Sequence, residues 1–309
     1  MGNEAEFEAE LITDDGVMCG PLRRPRQMLG DQQYGGHQSI HDDAMAADLG
    51  FSGAPIEGPT HFSQFVPLLS AIWGREWFER GCFSSHYQNM VVEGDEVRAF
   101  VAIPAEGATV TRAWAEKADG TPVLEATASL GTADATVLDE RRAKLREPER
   151  LVILADMRVG MSGRGDEAVR MAHDQHMGAL YPFTLDDKLA KITENSPWYS
   201  NATPWGGPIV PLEMVSVLAE YTGHTAGFPV KGPSVGLFAD QEIRMLNGPL
   251  MVDTPYVIRR EIAALSESRR TESYWVRSSI HDASSDEKLA EMILNHAVMK
   301  DSYADYPKD

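Results

Sequence analysis

GFSGAPIEGPTHFS at residues 50–63 and TPWGGPIVPLEMVS at residues 203–216 are two versions of one pattern. Each runs from small residues through Pro and Ile to a turn, and then to an apolar segment suited to a helix. A repeat spaced this widely in a chain of 309 residues indicates two like halves and not a short-period solenoid. The sequence predicts a first half over 1–140, a linker over 141–165 and a second half over 166–309.

The composition is that of a globular protein, with 43% hydrophobic and 24% charged residues. A net charge of −19 argues against nucleic acid or an anionic membrane as the main partner. Cys19 and Cys82 are too few for a disulfide framework, which favours a reducing compartment. Residues 1–15 lack the apolar run of a signal peptide, and no stretch is long enough to span a bilayer. We therefore expect a cytoplasmic protein.

The two halves show the same order of elements. Apolar residues at three- and four-residue steps predict one long helix after Gly58, kinked at Pro67. Strand patterns follow it, including a hairpin at Asp119-Gly120. The second half has a helix within 206–223 and then four strand-like segments, the last at 289–300, while residues 1–30 suggest an arm or edge strand. One helix followed by antiparallel strands predicts an α+β fold in which a curved sheet buries the helix.

The segment around His41 and residues 50–58 resembles the MaoC-like proteins, the (R)-specific enoyl-CoA hydratase group. The residues that fit the first-half signature are Ile40, His41, Ala47, Gly50, Phe51, Gly53, Ile56 and Gly58. The second half resembles the degenerate version of that signature at 196–199 and 205–211. This resemblance covers nearly the whole chain. It implies a double hotdog, in which two curved antiparallel sheets, each wrapped around a central helix, join edge to edge.

The chain departs from the family pattern at the positions that carry its chemistry. Gly36 stands where the family has its acidic residue, and Glu57 stands where the family has the His of an Ala-His-Gly segment. Gln38 and Ser39 replace the family's Asn and Pro. In the second half the acidic position falls on Glu194 and the His position on Tyr199. Neither half therefore carries the full Asp-and-His pair.

The resemblance implies the addition of water to a 2-enoyl thioester, or its removal, which needs an acid and a base around one water. His41 is the candidate acid/base, the backbone N–H of Gly58 would hold the thioester oxygen, and Glu57 or Gln38 would place the water. Structural alternatives stand beside these roles. His41 could cap the short helix that begins near Asp42, Gly58 could be a packing glycine, and Glu57 could be an idle anion at a helix start.

Further residues are candidates for the substrate pocket, namely His37, Gly36, Glu194, Tyr199 and Trp198. Trp198 and Trp205 could narrow a tunnel or belong to the core. Asp42 and Asp43 suggest caps of the short helix. The arginines at 23, 24 and 26 could meet CoA phosphates or form a solvated basic turn.

No zinc-ligand spacing or phosphate-binding loop occurs, so we expect no metal and no cofactor other than the CoA that carries the substrate. The expected assembly is a homodimer or higher homo-oligomer. Two other classes of function remain open. One is a non-catalytic acyl-thioester binder or partner subunit of a hydratase, which the Gly at position 36 favours. The other is a different lyase or a thioesterase-like reaction on the same scaffold.

Overall fold

The computed structural model describes residues 7–131 and 135–307, which form one sheet of twelve strands and six short α-helices. The strands are β1 (Ile12–Asp14), β2 (Val17–Cys19), β3 (Gln38–Ser39), β4 (Gly81–Tyr87), β5 (Val97–Ala102), β6 (Val110–Lys117), β7 (Pro122–Leu130), β8 (Glu167–Val169), β9 (Val235–Met245), β10 (Tyr256–Glu267), β11 (Thr271–Asp282) and β12 (Lys288–Met299). The helices are α1 (Asp43–Asp48), α2 (Val66–Trp73), α3 (Arg75–Arg80), α4 (Val137–Arg142), α5 (Leu185–Leu189) and α6 (Leu212–Glu220).

The strand order shows two half-sheets joined at one seam. The first half runs β1-β2-β5-β6-β7-β4, and the second continues as β9-β12-β11-β10-β8. β4 and β9 pair antiparallel from Cys82 opposite Arg244 to His86 opposite Asp240, and only β3 lies off this path, parallel to β9. The edge-to-edge joining predicted from the repeat is confirmed, as are the β6–β7 hairpin and the last strand, β12.

The predicted single long helix of the first half is wrong in detail. The chain forms a 3-10 helix at Gly58–Phe65, changes to α2, and starts a new helix, α3, after Gly74. Gly74 has φ +60°, a conformation that ends a right-handed helix and that glycine adopts easily. Pro67 lies in the first turn of α2, where its missing N–H costs nothing, so it does not kink the interior of a helix.

The central helices of the two halves pack against each other inside the sheet. Every residue from Pro59 to Phe65 is buried, and so is every residue of α6 after Leu212. Such helices are not amphipathic surface elements, because their polar residues are buried together with their apolar ones. The 3-10 helix contacts α6 directly, which brings the N-terminal end of one central helix close to the second half.

The segment after β7 packs on the sheet at two places, and its α4 contacts β4, β7 and β9 across the seam. α4 begins with a capping box between Thr136 and Asp139, and its Leu138 packs with Trp275 and Ile293. A second cluster joins residues 153, 154 and 157 to Ile262, Val276 and Val298 on the opposite face of the sheet, since Trp275 and Val276 are neighbours on β11 and point to opposite faces.

Among residues 7–131 and 135–307, no helix combines the length and the apolar character that crossing a bilayer requires. The prediction about a signal peptide rests partly on residues 1–6, which lie outside the described residues.

Candidate active site

One cavity of about 860 Å³ lies between the central helices and the inner face of the sheet. Both halves contribute to its wall, the first through residues 29–61, 87–91 and 123, and the second through segments between 176 and 298. All nine histidines belong to the described part of the chain, and six line this cavity, at positions 37, 41, 61, 176, 224 and 296. The volume is in the range of cavities that hold small molecules.

His41 lines the cavity from the loop between β3 and α1. Its Nδ1 lies 2.6 Å from the carbonyl oxygen of Pro55, and its backbone N–H donates to the hydroxyl of Ser39 at 3.1 Å. Because a carbonyl only accepts, Nδ1 carries the hydrogen and Nε2 keeps its lone pair. Burial lowers the pKa of His41 to about 4, against the opposing effect of the Pro55 hydrogen bond. His41 is therefore neutral near pH 7, with one nitrogen able to take a proton.

Two aspartates fix the loop that carries His41. Asp42 is the N-cap of α1, and its carboxylate accepts from the N–H of Met45 at 2.8 Å. Asp43 accepts from the N–H of Ala54 at 3.0 Å, which ties the helix to the segment leading to Pro55. The capping role predicted for Asp42 is confirmed, whereas Asp43 belongs to the first turn of α1 and holds the following loop instead.

Glu57 is the buried carboxyl on the same side of the cavity, only two residues beyond the carbonyl that orients His41. Its side chain is 7% exposed, and its Oε1 accepts from the hydroxyl of Tyr181 at 3.0 Å. Burial raises the pKa of Glu57 to about 7, while the nearby Lys188 and the Tyr181 hydrogen bond act to lower it and Glu213 acts to raise it. Lys188 is itself occupied, since its Nζ lies 3.1 Å from Glu213 Oε1 and donates to Thr60 Oγ1 at 3.3 Å.

Gly58 opens the 3-10 helix and lines the cavity beside Glu57. The first N–H groups of a helix have no acceptor within the helix, so the N–H of Gly58 has none there. The glycine is also required for packing. A Cβ at this position would lie 2.5 Å from Cζ of Tyr87, whose hydroxyl is held by Gln241 at 2.8 Å.

Two of the other predicted site residues also reach the cavity. His37 lines it while Nδ1 contacts Ser234 Oγ at 3.1 Å, and burial lowers its pKa. Gln38 lines it from β3 with an exposed side chain. His61 is a buried cavity residue in the first turns of the central helix, and burial lowers its pKa to about 4.

The remaining predicted pocket residues lie outside the cavity wall. Gly36 is exposed with φ +94°, and the adjacent Gly35 lines the cavity in its place. Glu194 is buried and pairs with the guanidinium of Arg23, with oxygen–nitrogen distances of 2.6 and 3.0 Å. The second-half residues that match the family motif thus serve the core, because Trp198 packs on Phe78 and Trp205.

Tyr199 is buried in the same region and contacts the ring of Phe7. The other two arginines of the predicted basic turn are also paired, Arg24 with Glu96 and Arg26 with Glu93. The basic segment at 23–26 is therefore a set of ion pairs with the first half-sheet and the loop at 194.

The sequence reasoning missed the polar residues that the second half contributes. Glu220 ends α6, and His296 lies in β12, and both line the cavity. The available signal was a charged or ionisable residue inside an otherwise apolar element, in LEMVSVLAE and in LAEMILNHAVM. In the part of the chain that the structure describes, no group of three or more His, Cys, Asp or Glu side chains could hold a metal ion.

No protein-family model and no curated protein matches the sequence. Solved structures do match it. A MaoC domain protein dehydratase from Chloroflexus aurantiacus matches over 86% of this chain and 88% of its own, with 16% identity and a TM-score of 0.51. RV0216 from Mycobacterium tuberculosis, a double hotdog protein, matches over 84% of this chain and 86% of its own, with 12% identity and a TM-score of 0.53. The predicted resemblance is confirmed in the architecture, and the chain has the double hotdog fold.

Proposed function

We propose that this protein is a hydratase or dehydratase of acyl thioesters, with Glu57 in place of the usual aspartate. One observation carries the proposal, namely that a single cavity brings together an oriented neutral imidazole at His41, a buried carboxyl at Glu57 and a helix-start N–H at Gly58. An acid, a base and a donor for the developing oxyanion are what water addition to an enoyl thioester requires.

The proposed hydration step uses each of the three groups once. His41 Nε2 takes a proton from water, and the water oxygen forms a bond to the β-carbon of the enoyl group. The electron pair of the double bond moves toward the α-carbon, and the thioester oxygen gains negative charge opposite the Gly58 N–H. Protonated Glu57 then delivers its proton to the α-carbon. Dehydration is the same sequence in reverse.

The ionisation states fit this division of roles. With a pKa of about 4, His41 is neutral over the physiological range and is ready to act as base. With a pKa of about 7, Glu57 keeps a large protonated fraction and can act as acid. Gln38, at the exposed side of the wall, can hydrogen-bond the incoming water but cannot take its proton.

The proposal also covers the carrier of the acyl group, the cellular compartment and the oligomeric state. We place the acyl group on CoA or another thioester carrier, and the protein in the cytoplasm as a homodimer or higher homo-oligomer. The two free thiols support a reducing compartment, since Cys82 is buried and Cys19 is partly exposed without a disulfide partner. The net charge of −19 continues to argue against nucleic acid and anionic membranes as partners.

The test is water addition to crotonyl-CoA and longer 2-enoyl-CoAs, followed by mass spectrometry of the thioester product. His41→Ala should lower kcat/KM by at least about 100-fold, since a positioned base contributes about that much or more. His173→Ala is the matched control, because His173 is a partly exposed histidine outside the cavity wall, paired with Asp186. Activity that persists in His41→Ala would contradict the proposed role of His41.

A non-catalytic thioester binder is the second candidate, favoured by the glycine at position 36. If every enoyl-CoA is inert but calorimetry detects binding of acyl-CoA, the binder is the correct function. If no thioester binds or reacts, both candidates fail.

A further inference from the structure

A second group of polar side chains lines the same cavity from the other half of the molecule. Glu220 at the end of α6, Arg260 in β10, Tyr274 in β11 and His296 in β12 all belong to its wall. The proposed hydration chemistry uses none of them. We name these four residues the polar wall. Glu220, Arg260 and His296 are each at least nine-tenths buried, with exposed fractions of 6%, 5% and 7%.

The Glu220 carboxyl has no hydrogen bond from any residue that the structure describes. Its Oε1 is buried without a partner, and its Oε2 lies 3.6 Å from Nε2 of His296, beyond hydrogen-bond distance. A buried carboxyl without a hydrogen-bond partner is costly, and a ligand that supplies a donor to it offsets part of that cost. A hydroxyl group in the cavity that lies beside this pair, and not between its two atoms, can donate to the carboxyl and accept from the imidazole.

Aromatic rings hold His296 in place beside Glu220. Tyr274 stacks on the imidazole at 4.7 Å with an interplanar angle of 7°, and Phe238 meets it edge-on at 5.4 Å. Burial, followed by the charge of Arg260, lowers the pKa of His296 to about 3. The ring is therefore neutral, so it can donate one hydrogen bond and accept another without adding a positive charge.

Both terminal nitrogens of the Arg260 guanidinium already have hydrogen-bond partners. One terminal nitrogen bonds Glu167, and the other bonds the carbonyl oxygen of Ala219 and the hydroxyl of Thr222. Its Nε is buried and has no hydrogen-bond partner among the described residues. A carboxylate on a substrate would find both terminal nitrogens of Arg260 already bonded and would face the Glu220 carboxyl, so the polar wall disfavours an anion.

We infer that the polar wall is a recognition subsite for a hydroxyl group in the acyl part of the substrate, which donates to Glu220 and accepts from His296. This inference rests on the proposed thioester activity and narrows its substrate class to neutral, hydroxylated acyl chains. A plain alkyl chain in the same cavity leaves the Glu220 carboxyl unpartnered, and sites built to bond a hydroxyl discriminate strongly against analogues that lack it.

The test compares 2-enoyl-CoAs of equal chain length that end in a methyl, a hydroxyl or a carboxylate group. Wild-type protein should show the highest kcat/KM for a hydroxylated chain, at least tenfold above the alkyl chain. Glu220→Leu should abolish or reverse that preference, and Glu220→Gln should weaken it. The ratio of two substrates on one variant does not depend on how much of that variant is folded.

Glu194→Gln provides the matched control. Glu194 is also a buried carboxyl of the second half, but it pairs with Arg23 away from the cavity wall, so its substitution should leave the hydroxyl preference unchanged. Two outcomes would overturn the subsite while leaving the proposed activity intact. One is an equal kcat/KM of wild type for alkyl and hydroxylated chains, and the other is a preference for the hydroxylated chain that persists in Glu220→Leu. A preference for the carboxylate chain would overturn the assignment to a neutral group. If no thioester binds or reacts, the proposed activity fails and the subsite fails with it.

Discussion

Burial sets the chemistry of the individual residues in the cavity. The same loss of solvation that keeps His41 neutral keeps Glu57 partly protonated, because in both groups it disfavours the charged form. Both residues and Gly58 could be predicted from the sequence, since one local motif carries all three. The sequence could mark Glu220 and His296 as unusual but could not show that they lie together, because they are 76 residues apart and meet only in the folded chain.

A pH profile follows from these two pKa values. If neutral His41 is the base and protonated Glu57 the acid of hydration, kcat/KM should fall as pH rises through about 7, where Glu57 loses its proton. It should also fall as pH drops through about 4, where His41 gains one. The measurement is kcat/KM for an enoyl-CoA over this range. A rate that rises through pH 7 would instead make ionised Glu57 the base.

The pH dependence of the unfolding free energy should also reveal the ionisation of Glu57, and this measurement needs no substrate. The folded pKa of Glu57, about 7, lies above its ordinary value of 4.5, so the fold favours the protonated form. Its contribution to stability is therefore complete below about pH 4.5 and is lost as pH rises through 7. Between pH 4.5 and 8, wild type should lose about 2–3 kcal/mol more unfolding free energy than Glu57→Gln. Urea unfolding at both pH values measures this, and a constant difference between the two proteins would contradict it.

At the scale of elements, the strands could be predicted because buried and more exposed residues alternate along them. β5 has a strictly alternating burial pattern, and the Asp119-Gly120 turn between β6 and β7 is coded locally. The central helix of the first half could not be predicted in detail, because its polar residues are buried with the apolar ones. Ser63, for example, bonds the Thr60 carbonyl and the hydroxyl of Thr193 from the other half. Spacing of apolar residues alone cannot distinguish this 3-10 segment from an α-helix.

The start of that helix should tolerate no side chain larger than hydrogen. Gly58→Ala would place a Cβ 2.5 Å from the ring of Tyr87, which must shift and strain its bond to Gln241. We expect a loss of about 1–3 kcal/mol in unfolding free energy, as for other overpacked sites. Gly53→Ala is the control, since its Cβ would meet nothing nearer than 3.6 Å. Thermal and urea unfolding compare the two, and equal stability would show that the helix start can relax.

At the scale of the whole molecule, a buried ionic cluster joins the two halves beside the seam. Asp240 in β9 is fully buried and contacts His86 in β4 at 2.8 Å, Asn295 in β12 at 2.7 Å and the guanidinium of Arg141 in α4. The duplication in the sequence predicted that the halves meet edge to edge. It gave no sign of this cluster, because its four members come from four separate elements.

Removing the centre of the cluster should weaken the whole fold. Asp240→Ala leaves the buried amide of Asn295, and the more exposed side chains of His86 and Arg141, without this acceptor, and we expect a loss of about 1–3 kcal/mol in unfolding free energy. Arg24→Ala, which breaks the exposed pair with Glu96, should change stability by less than about 1 kcal/mol. Urea unfolding measures both variants. A small effect at Asp240 would mean that the seam is stabilised mainly by its strand pairing.

The backbone at Gly36 makes the departure from the family pattern hard to reverse. At φ +94° a residue with a Cβ is strained, and this position does not line the cavity. Reinstating an aspartate there by one substitution would neither fit the chain path nor deliver a carboxylate to the imidazole. Under the proposed function, an aspartate at position 36 would therefore not restore activity to a Glu57→Gln variant.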